Sequence, residues 1–157
     1  MSTKATLRDA ILGAWELVSY TIESTPGGDK TYPLGSDPVG LIMYTEDGYM
    51  SAQLMRRDRF VTDSPTPPEA AAAAESAFAT GYLAYSGPFD VDEATGTLYH
   101  QVTVSLFPQW LGSTQLRCSH LDGDVLTLSG SNTSANGVTS THTLHWKRAP
   151  RKCGPDK

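Results

Sequence analysis

The chain has 157 residues, which is the size of one domain and enough to bury a core around a cavity without metal or disulfide support. Its 12 Lys and Arg residues against 17 Asp and Glu residues give a net charge of −5, which argues against nucleic acid and anionic membranes as partners. No apolar run approaches the roughly 18 residues of a membrane span, and Arg8 and Asp9 interrupt the apolar stretch that a signal peptide requires. We therefore expect a cytoplasmic protein with Cys118 and Cys153 as free thiols.

The first part of the chain predicts a short helix followed by antiparallel strands. Thr6 and Asp9 match a capping box, which begins a helix over residues 6–12. The Asp47-Gly48 pair favours positive φ and so predicts a tight hairpin. The predicted strands span residues 15–24, 30–32, 40–45 and 49–55. Alternation along the first strand places four side chains on one face, namely Trp15, Leu17, Ser19 and Thr21.

The second part predicts one helix and a longer series of strands. Pro67 and Pro68 open an Ala-rich segment, which predicts a helix over residues 69–81 that ends at Gly81. The strands that follow span residues 82–91, 97–107, 114–121, 125–128 and 138–148. Because strands follow strands without crossover helices, an antiparallel all-β barrel or sandwich is favoured over a parallel α/β fold.

Gly13-Ala14-Trp15, at the entry to the first long strand, resembles the Gly-x-Trp motif of lipocalins. In that family an Arg after the last strand covers the Trp, and Arg148 lies at the matching place. Similarity to the compact lipocalin-like domains of bacteria and fungi extends over the segments GAWELVSY, PLGSDPVGLIMYTEDGYMSAQLMR, GYLAYSGPFDVDEATGTLYHQV, SLFPQWLG and LDGDVLTL.

The resemblance implies a single barrel domain over residues 1–148. Residues 149–157 show no periodicity, which predicts a flexible tail. The barrel is expected to have about eight antiparallel strands, a short N-terminal helix and one inserted helix. It is also expected to hold a pocket for a small, partly apolar molecule.

The spacing of histidines and cysteines does not match a metal site or a catalytic nucleophile. His142 and His145 are three residues apart on a strand and point to opposite faces, which excludes a shared metal ion. A site that combines His100, His120 and His142 is kept as a minor alternative. Cys118 is interpreted as a buried structural thiol in preference to a nucleophile. The sequence has no nucleophile elbow, phosphate loop or dinucleotide motif, and no metal or organic cofactor is expected.

Three polar residues are candidates for catalysis, namely His100, Arg117 and Gln53. The apolar face of the strand over residues 97–107 carries His100 together with Leu98, Val102, Val104 and Leu106. There His100 is either a hydrogen-bonded core residue or a proton donor and acceptor. Arg117 and Gln53 either face solvent or point inward, where Arg117 would bind an enolate or carboxylate and Gln53 would polarise a carbonyl.

A dense set of aromatic and Met side chains predicts a ligand pocket, although some of them must simply fill the barrel. The predicted substrate-binding residues are Met43, Tyr44, Met50, Tyr82, Tyr85, Phe107, Trp110 and His142. The apolar loop over residues 107–112 either gates a barrel mouth or packs against it. The basic residues Arg56, Arg57 and Arg59 either attract an anionic substrate or form a solvated loop.

Three functions are compatible with these patterns. The resemblance favours a cofactor-free cyclase or isomerase, which would fold a polyketide- or terpenoid-like intermediate inside the barrel. A carrier of a small apolar molecule is the alternative, and it needs the same pocket without chemistry. A barrel that is filled by side chains and serves protein interaction is a third hypothesis. The oligomeric state stays open, with a homodimer among the options.

Overall fold

The computed structural model describes residues 3–58 and 81–152. Within these residues the protein contains one helix, α1 (Leu7–Ile11), a single 3-10 turn (Pro108–Trp110) and ten strands. The strands are β1 (Gly13–Thr25), β2 (Lys30–Thr31), β3 (Val39–Tyr44), β4 (Tyr49–Met55), β5 (Tyr82–Asp92), β6 (Thr97–Gln101), β7 (Val104–Ser105), β8 (Thr114–Asp122), β9 (Val125–Thr133) and β10 (Thr139–Arg148). Of the helix predicted over residues 69–81, only Gly81 lies within the described residues. This part of the chain has no helix that is long and apolar enough to cross a membrane.

Eight of the described strands form a closed antiparallel barrel. Neighbouring strands pair in the order β1, β3, β4, β5, β6, β8, β9 and β10. The ring closes where β10 pairs with β1, from Trp15↔Arg148 to Thr25↔Thr139. The short β2 pairs with β1, and β7 pairs with β5. The predicted all-β antiparallel barrel is confirmed.

A β-bulge in β1 changes which side chains face the barrel interior. The pairing of β1 with β10 shifts register between Leu17 and Ser19, and Val18 is exposed. Beyond the bulge, Tyr20 takes the inward position opposite Leu144. The predicted alternation along β1 is therefore wrong beyond Leu17, because one extra residue moves every later side chain to the other face.

The strand predicted over residues 97–107 is interrupted. β6 ends at Gln101. Pairing with β5 resumes at Val104, where the short strand β7 begins. Gly87 lies against this break, where an added Cβ would be 1.8 Å from the carbonyl oxygen of Gln101. The two backbones therefore approach more closely than a side chain allows. The interruption ends the simple alternation, so that Val104, predicted to face inward, is 64% exposed.

One end of the barrel is closed by α1 and Arg148. Trp15 is fully buried, and its indole N–H donates to the carbonyl of Ile11 at 2.8 Å. The guanidinium carbon of Arg148 lies 4.1 Å from the centroid of the Trp15 ring. The same guanidinium donates to the carbonyls of Ala10 and Leu12 at 2.6 and 3.1 Å. The expectation that Arg148 covers the Trp is confirmed.

The short helix α1 is held by capping groups at its N-terminus. The Thr6 hydroxyl accepts from the N–H of Asp9 at 3.1 Å, and the Asp9 carboxylate accepts from the N–H of Thr6 at 3.4 Å, which confirms the capping box. The carboxylate of Glu93 accepts from the N–H groups of Leu7 and Arg8 at 2.8 and 3.0 Å. A five-residue helix does not persist alone, so these contacts fix it to the turn between β5 and β6.

Candidate functional site

A cavity of about 880 Å³ opens inside the barrel, beyond the core that packs on α1. Its apolar wall is formed by inward residues of β3, β4, β9 and β10, namely Ile42, Ala52, Leu54, Leu128, Leu144 and Trp146. Aromatic side chains complete it, namely Tyr20, Tyr85, Phe107 and Trp110, and Tyr82 lies at its edge with its hydroxyl bonded to Gln53. This volume and lining are typical of a site for a small organic molecule.

Arg117 brings a positive charge to this wall. Exposure alternates along β8, so that Gln115 and Arg117 turn inward while Leu116 turns outward. The Arg117 guanidinium donates to the carbonyl of Leu116 at 2.8 Å and to the Gln115 side-chain oxygen at 3.4 Å. Opposite it, a Cβ added at Gly130 would be 3.2 Å from Arg117 Nη1, so the missing side chain leaves room for the guanidinium. Within residues 3–58 and 81–152, no carboxylate lies within ion-pair distance of Arg117.

Tyr20 and His142 form a hydrogen-bonded pair in the same cavity. The Tyr20 hydroxyl lies 2.9 Å from His142 Nδ1. Burial raises the pKa of Tyr20, and the charge of Arg117 opposes that rise. Burial lowers the pKa of His142, and the charge of Arg117 lowers it further. At neutral pH the pair is therefore uncharged and offers a hydroxyl and an imidazole as hydrogen-bonding groups.

A second hydrogen-bonded chain runs from the cavity wall into the core. His100 is fully buried, with Nδ1 2.8 Å from the hydroxyl of Tyr85 and Nε2 2.9 Å from the hydroxyl of Tyr44. Burial lowers the pKa of His100 to about 3, and the charge of Arg117 acts in the same direction. The neutral imidazole has one N–H, so one tyrosine donates to the ring and the other accepts from it. His100 therefore reaches the cavity only through Tyr85, which lines it.

The apolar loop after β7 packs against the cavity. The ring centroids of Phe107 and Trp110 are 4.7 Å apart, and the Trp110 ring meets the edge of Tyr85 with centroids 5.7 Å apart. Phe107 is buried, whereas Trp110 is only partly buried. Trp110 is therefore a rigid aromatic surface beside the cavity interior.

Seven of the residues singled out from the sequence line the cavity together, namely Arg56, Tyr82, Tyr85, Phe107, Trp110, Arg117 and His142. Arg59 lies outside the described residues, and the other described candidates lie elsewhere. His100, Tyr44 and Met50 are buried in the core behind the wall. They contact ligand only if the wall moves, although His100 and Tyr44 are connected to Tyr85 by hydrogen bonds.

Two candidates lie on the outer face of the barrel. Inward Ala52 and Leu54 flank Gln53 on β4, which turns Gln53 outward. Its amide oxygen accepts a hydrogen bond from the hydroxyl of Tyr82. Met43 on β3 lies between buried Ile42 and Tyr44, so its side chain turns outward and is 42% exposed. The expected contributions of Gln53 and Met43 to the cavity are therefore not supported by their positions.

The histidines and Cys118 of the described residues do not come together in a metal site. His145 Nδ1 lies 3.0 Å from the Thr127 hydroxyl, and His120 is exposed on the outer face of β8. Across the described residues, no three His, Cys, Asp or Glu side chains are grouped as metal ligands. Cys118 is exposed, so its prediction as a buried thiol is wrong, because the alternation that turns Arg117 inward turns Cys118 outward.

Three residues around Arg117 and His142 were not singled out from the sequence, namely Tyr20, Gln115 and Gly130. Tyr20 was assigned to the opposite face from Trp15, and only the bulge turns it inward. Gly130 is a glycine within a strand, a signal that often marks a close approach of another group. Here that group is the guanidinium of Arg117.

Comparison with known proteins gives a relative and a family. The chain is 38% identical over 77 residues to the 4'-hydroxy-3'-methoxypropiophenone carrier protein ppsC of Aspergillus oryzae (strain ATCC 42149 / RIB 40), a match that covers 45% of this chain and 69% of that protein. The family model described as the lipocalin-like domain matches residues 12–149. Both similarities support small-molecule binding. With its barrel, its Trp15–Arg148 closure and this match, the chain belongs to the lipocalin-like domain family.

Proposed function

We propose that this protein binds and carries a small aromatic molecule that has hydroxyl and carbonyl oxygens. The observation that carries the proposal is the cavity of about 880 Å³, in which an apolar and aromatic wall surrounds a polar group formed by Arg117, Tyr20 and His142. The Aspergillus oryzae relative is named as a carrier of a phenolic aromatic ketone, which is a molecule of this kind.

The polar group and the aromatic wall suit different parts of such a molecule. The ring would pack against Trp110 and Tyr85, which already contact each other edge to face. Its oxygens would accept hydrogen bonds from Arg117, and its hydroxyl would donate to or accept from the Tyr20–His142 pair. The remaining apolar wall would exclude water from the bound molecule.

A Gly130→Leu variant is expected to lose this binding. The new side chain would project into the cavity beside Arg117, because Gly130 lines the cavity and faces the guanidinium. Calorimetric titration with 4'-hydroxy-3'-methoxypropiophenone should give binding to the wild-type protein and at least about a tenfold loss in the variant, since each 1.4 kcal/mol of lost contact is tenfold. Ser129→Leu, one residue away and on the other face of β9, is the control and should keep wild-type affinity. Equal affinity in all three proteins would place the ligand outside the barrel.

A cofactor-free isomerase or cyclase acting on a polyketide- or terpenoid-like intermediate is the second candidate. The Tyr44–His100–Tyr85 chain favours it, because it ends at a cavity hydroxyl that stays protonated at neutral pH. Tyr85 would donate its proton to a carbon of a bound enolate whose oxygen Arg117 stabilises, and the resulting tyrosinate would take back a proton from another carbon of the same molecule, so that the ligand is isomerised and Tyr85 is restored.

The isomerase candidate requires a changed product. Candidate ligands are incubated with wild-type protein and with a Tyr85→Phe variant, and the recovered molecules are identified by mass spectrometry and NMR. An isomerase gives a rearranged product at a rate that falls by about a hundredfold or more in the variant, within the range typical of general acid catalysis. Recovery of the unchanged ligand from the wild-type protein would rule out the isomerase and would leave the carrier as the remaining function.

A further inference from the structure

Among the described residues of the barrel, Arg117 differs from the other arginines in having no counter-ion. Arg8, Arg56 and Arg148 lie 3.6, 3.1 and 3.7 Å from the carboxylates of Asp90, Asp58 and Asp124, respectively. Arg56 and Arg117 both line the cavity, and Arg56 is paired with Asp58. In the described part of the chain, Arg117 donates only to neutral acceptors. A guanidinium has five N–H donors, so several of them are left for a bound molecule.

Within the part of the chain that the structure describes, the titratable groups that face Arg117 supply no negative charge. Tyr20 of β1 and Tyr85 of β5 have pKa values raised by burial and are neutral at physiological pH. His100 of β6 and His142 of β10 have pKa values lowered by burial and are also neutral. At the rim, the carboxylate of Asp58 is paired with Arg56. The guanidinium is therefore the uncompensated charge among these groups.

A ligand that fills the cavity removes water from this charge. A neutral ligand would offer the guanidinium only neutral acceptors in place of water, whereas an anionic oxygen would form a charge-assisted hydrogen bond, which is roughly twice as strong. The aromatic wall selects an anion whose charge is delocalised over a ring. We propose that the cavity takes its aromatic ligand as the phenolate, with the phenolate oxygen bound to the Arg117 guanidinium. This inference rests on the proposed function, since it requires that an aromatic ligand enters the barrel.

The net charge of the protein acts against an anionic ligand, but only weakly. The chain carries a net charge of −5. At physiological ionic strength, charges separated by more than about 8 Å are largely screened, while a direct contact inside the cavity is not. The local Arg117 contact therefore outweighs the distant surface carboxylates.

The test uses two probes of similar shape, para-nitrophenol and para-nitroanisole. The first ionises near neutral pH and absorbs visible light as the phenolate, and the second is methylated and stays neutral. Absorbance titration of para-nitrophenol with saturating wild-type protein should give an apparent pKa for the bound probe that is about one unit or more below that of the free probe. Para-nitroanisole, followed by calorimetry, should bind at least about tenfold more weakly than the phenolate.

Variants of Arg117 separate charge from shape. Arg117→Gln should weaken phenolate binding by about 10- to 100-fold, the range that fits loss of a hydrogen bond to a charged group, and should abolish the pKa shift of the bound probe. The same variant should weaken binding of para-nitroanisole much less than binding of the phenolate, and an unchanged circular dichroism spectrum would show that the variant is folded. Arg117→Lys retains the charge and should keep most of the shift.

Three outcomes decide between the hypotheses. A lowered pKa of the bound probe that disappears in Arg117→Gln supports phenolate binding. Binding of both probes with an unchanged or raised pKa of para-nitrophenol overturns the phenolate assignment and leaves small-molecule binding intact. Failure of the wild-type protein to bind either probe or 4'-hydroxy-3'-methoxypropiophenone overturns both the assignment and the proposed function.

Discussion

Acidification is expected to cost the folded protein about 5 kcal/mol through His100 alone, because its pKa falls from 6.5 to about 3 on folding. The unfolded chain binds a proton on this histidine at a higher pH than the folded protein does. The contribution of His100 is therefore complete above its unfolded pKa of 6.5 and is lost progressively as the pH falls toward the folded value of about 3. His142, whose pKa is also lowered, adds a smaller loss in the same direction.

Urea unfolding at a series of pH values measures this loss. Between pH 3 and pH 6.5, the slope of the unfolding free energy against pH should be smaller in a His100→Phe variant than in the wild type. The difference should correspond to the uptake of up to one proton. The variant should also be about 2–5 kcal/mol less stable at neutral pH, because the hydroxyls of Tyr44 and Tyr85 lose their buried partner. The control is His120→Gln, at an exposed position, which should follow the wild-type profile. Identical slopes in wild type and His100→Phe would show that His100 is not held neutral.

Replacing Trp15 with Ala is expected to reduce the free energy of unfolding by about 3–5 kcal/mol. The Trp15 side chain is fully buried, so its removal leaves a large cavity at the closed end of the barrel. It also deletes the hydrogen bond to the carbonyl of Ile11 and the ring that lies under the Arg148 guanidinium.

The matched control for Trp15→Ala is Val18→Ala, on the same strand. Val18 is 48% exposed at the bulge, so its truncation should change stability by only about 0.5 kcal/mol. Urea unfolding of the two variants gives the comparison. A loss below about 1 kcal/mol for Trp15→Ala would contradict the role of this end as the barrel's packed base.

The fold could be predicted because its main features are local or carried by short motifs. The hairpin of β3 and β4 follows from two apolar segments around Asp47-Gly48, and Gly48 indeed has a φ of 95°. The closed end follows from Thr6, Asp9 and the resemblance of Gly13-Ala14-Trp15 to a lipocalin motif. Such signals need only neighbouring residues, so distant contacts do not override them.

The site could be predicted only in part, because the direction of a side chain depends on nonlocal pairing. The β1 bulge appears only where β10 pairs across it, and it alone brings Tyr20 to His142. The neighbours of Arg117 along β8 left both directions open and slightly favoured solvent, and the barrel closure turns the side chain inward. The direction of Gln53 was equally open in the sequence, and in the structure its side chain turns outward.

Mapping of backbone amide resonances by NMR tests most directly whether the barrel interior holds the ligand. Isotopically labelled protein is titrated with 4'-hydroxy-3'-methoxypropiophenone. Saturable shifts are predicted for amides around the cavity, at Tyr85, Arg117 and Gly130. Amides beside Met43 and Gln53, on the outer face of β3 and β4, should move little. Shifts confined to that outer face, or no shifts at any ligand concentration, would contradict binding inside the barrel.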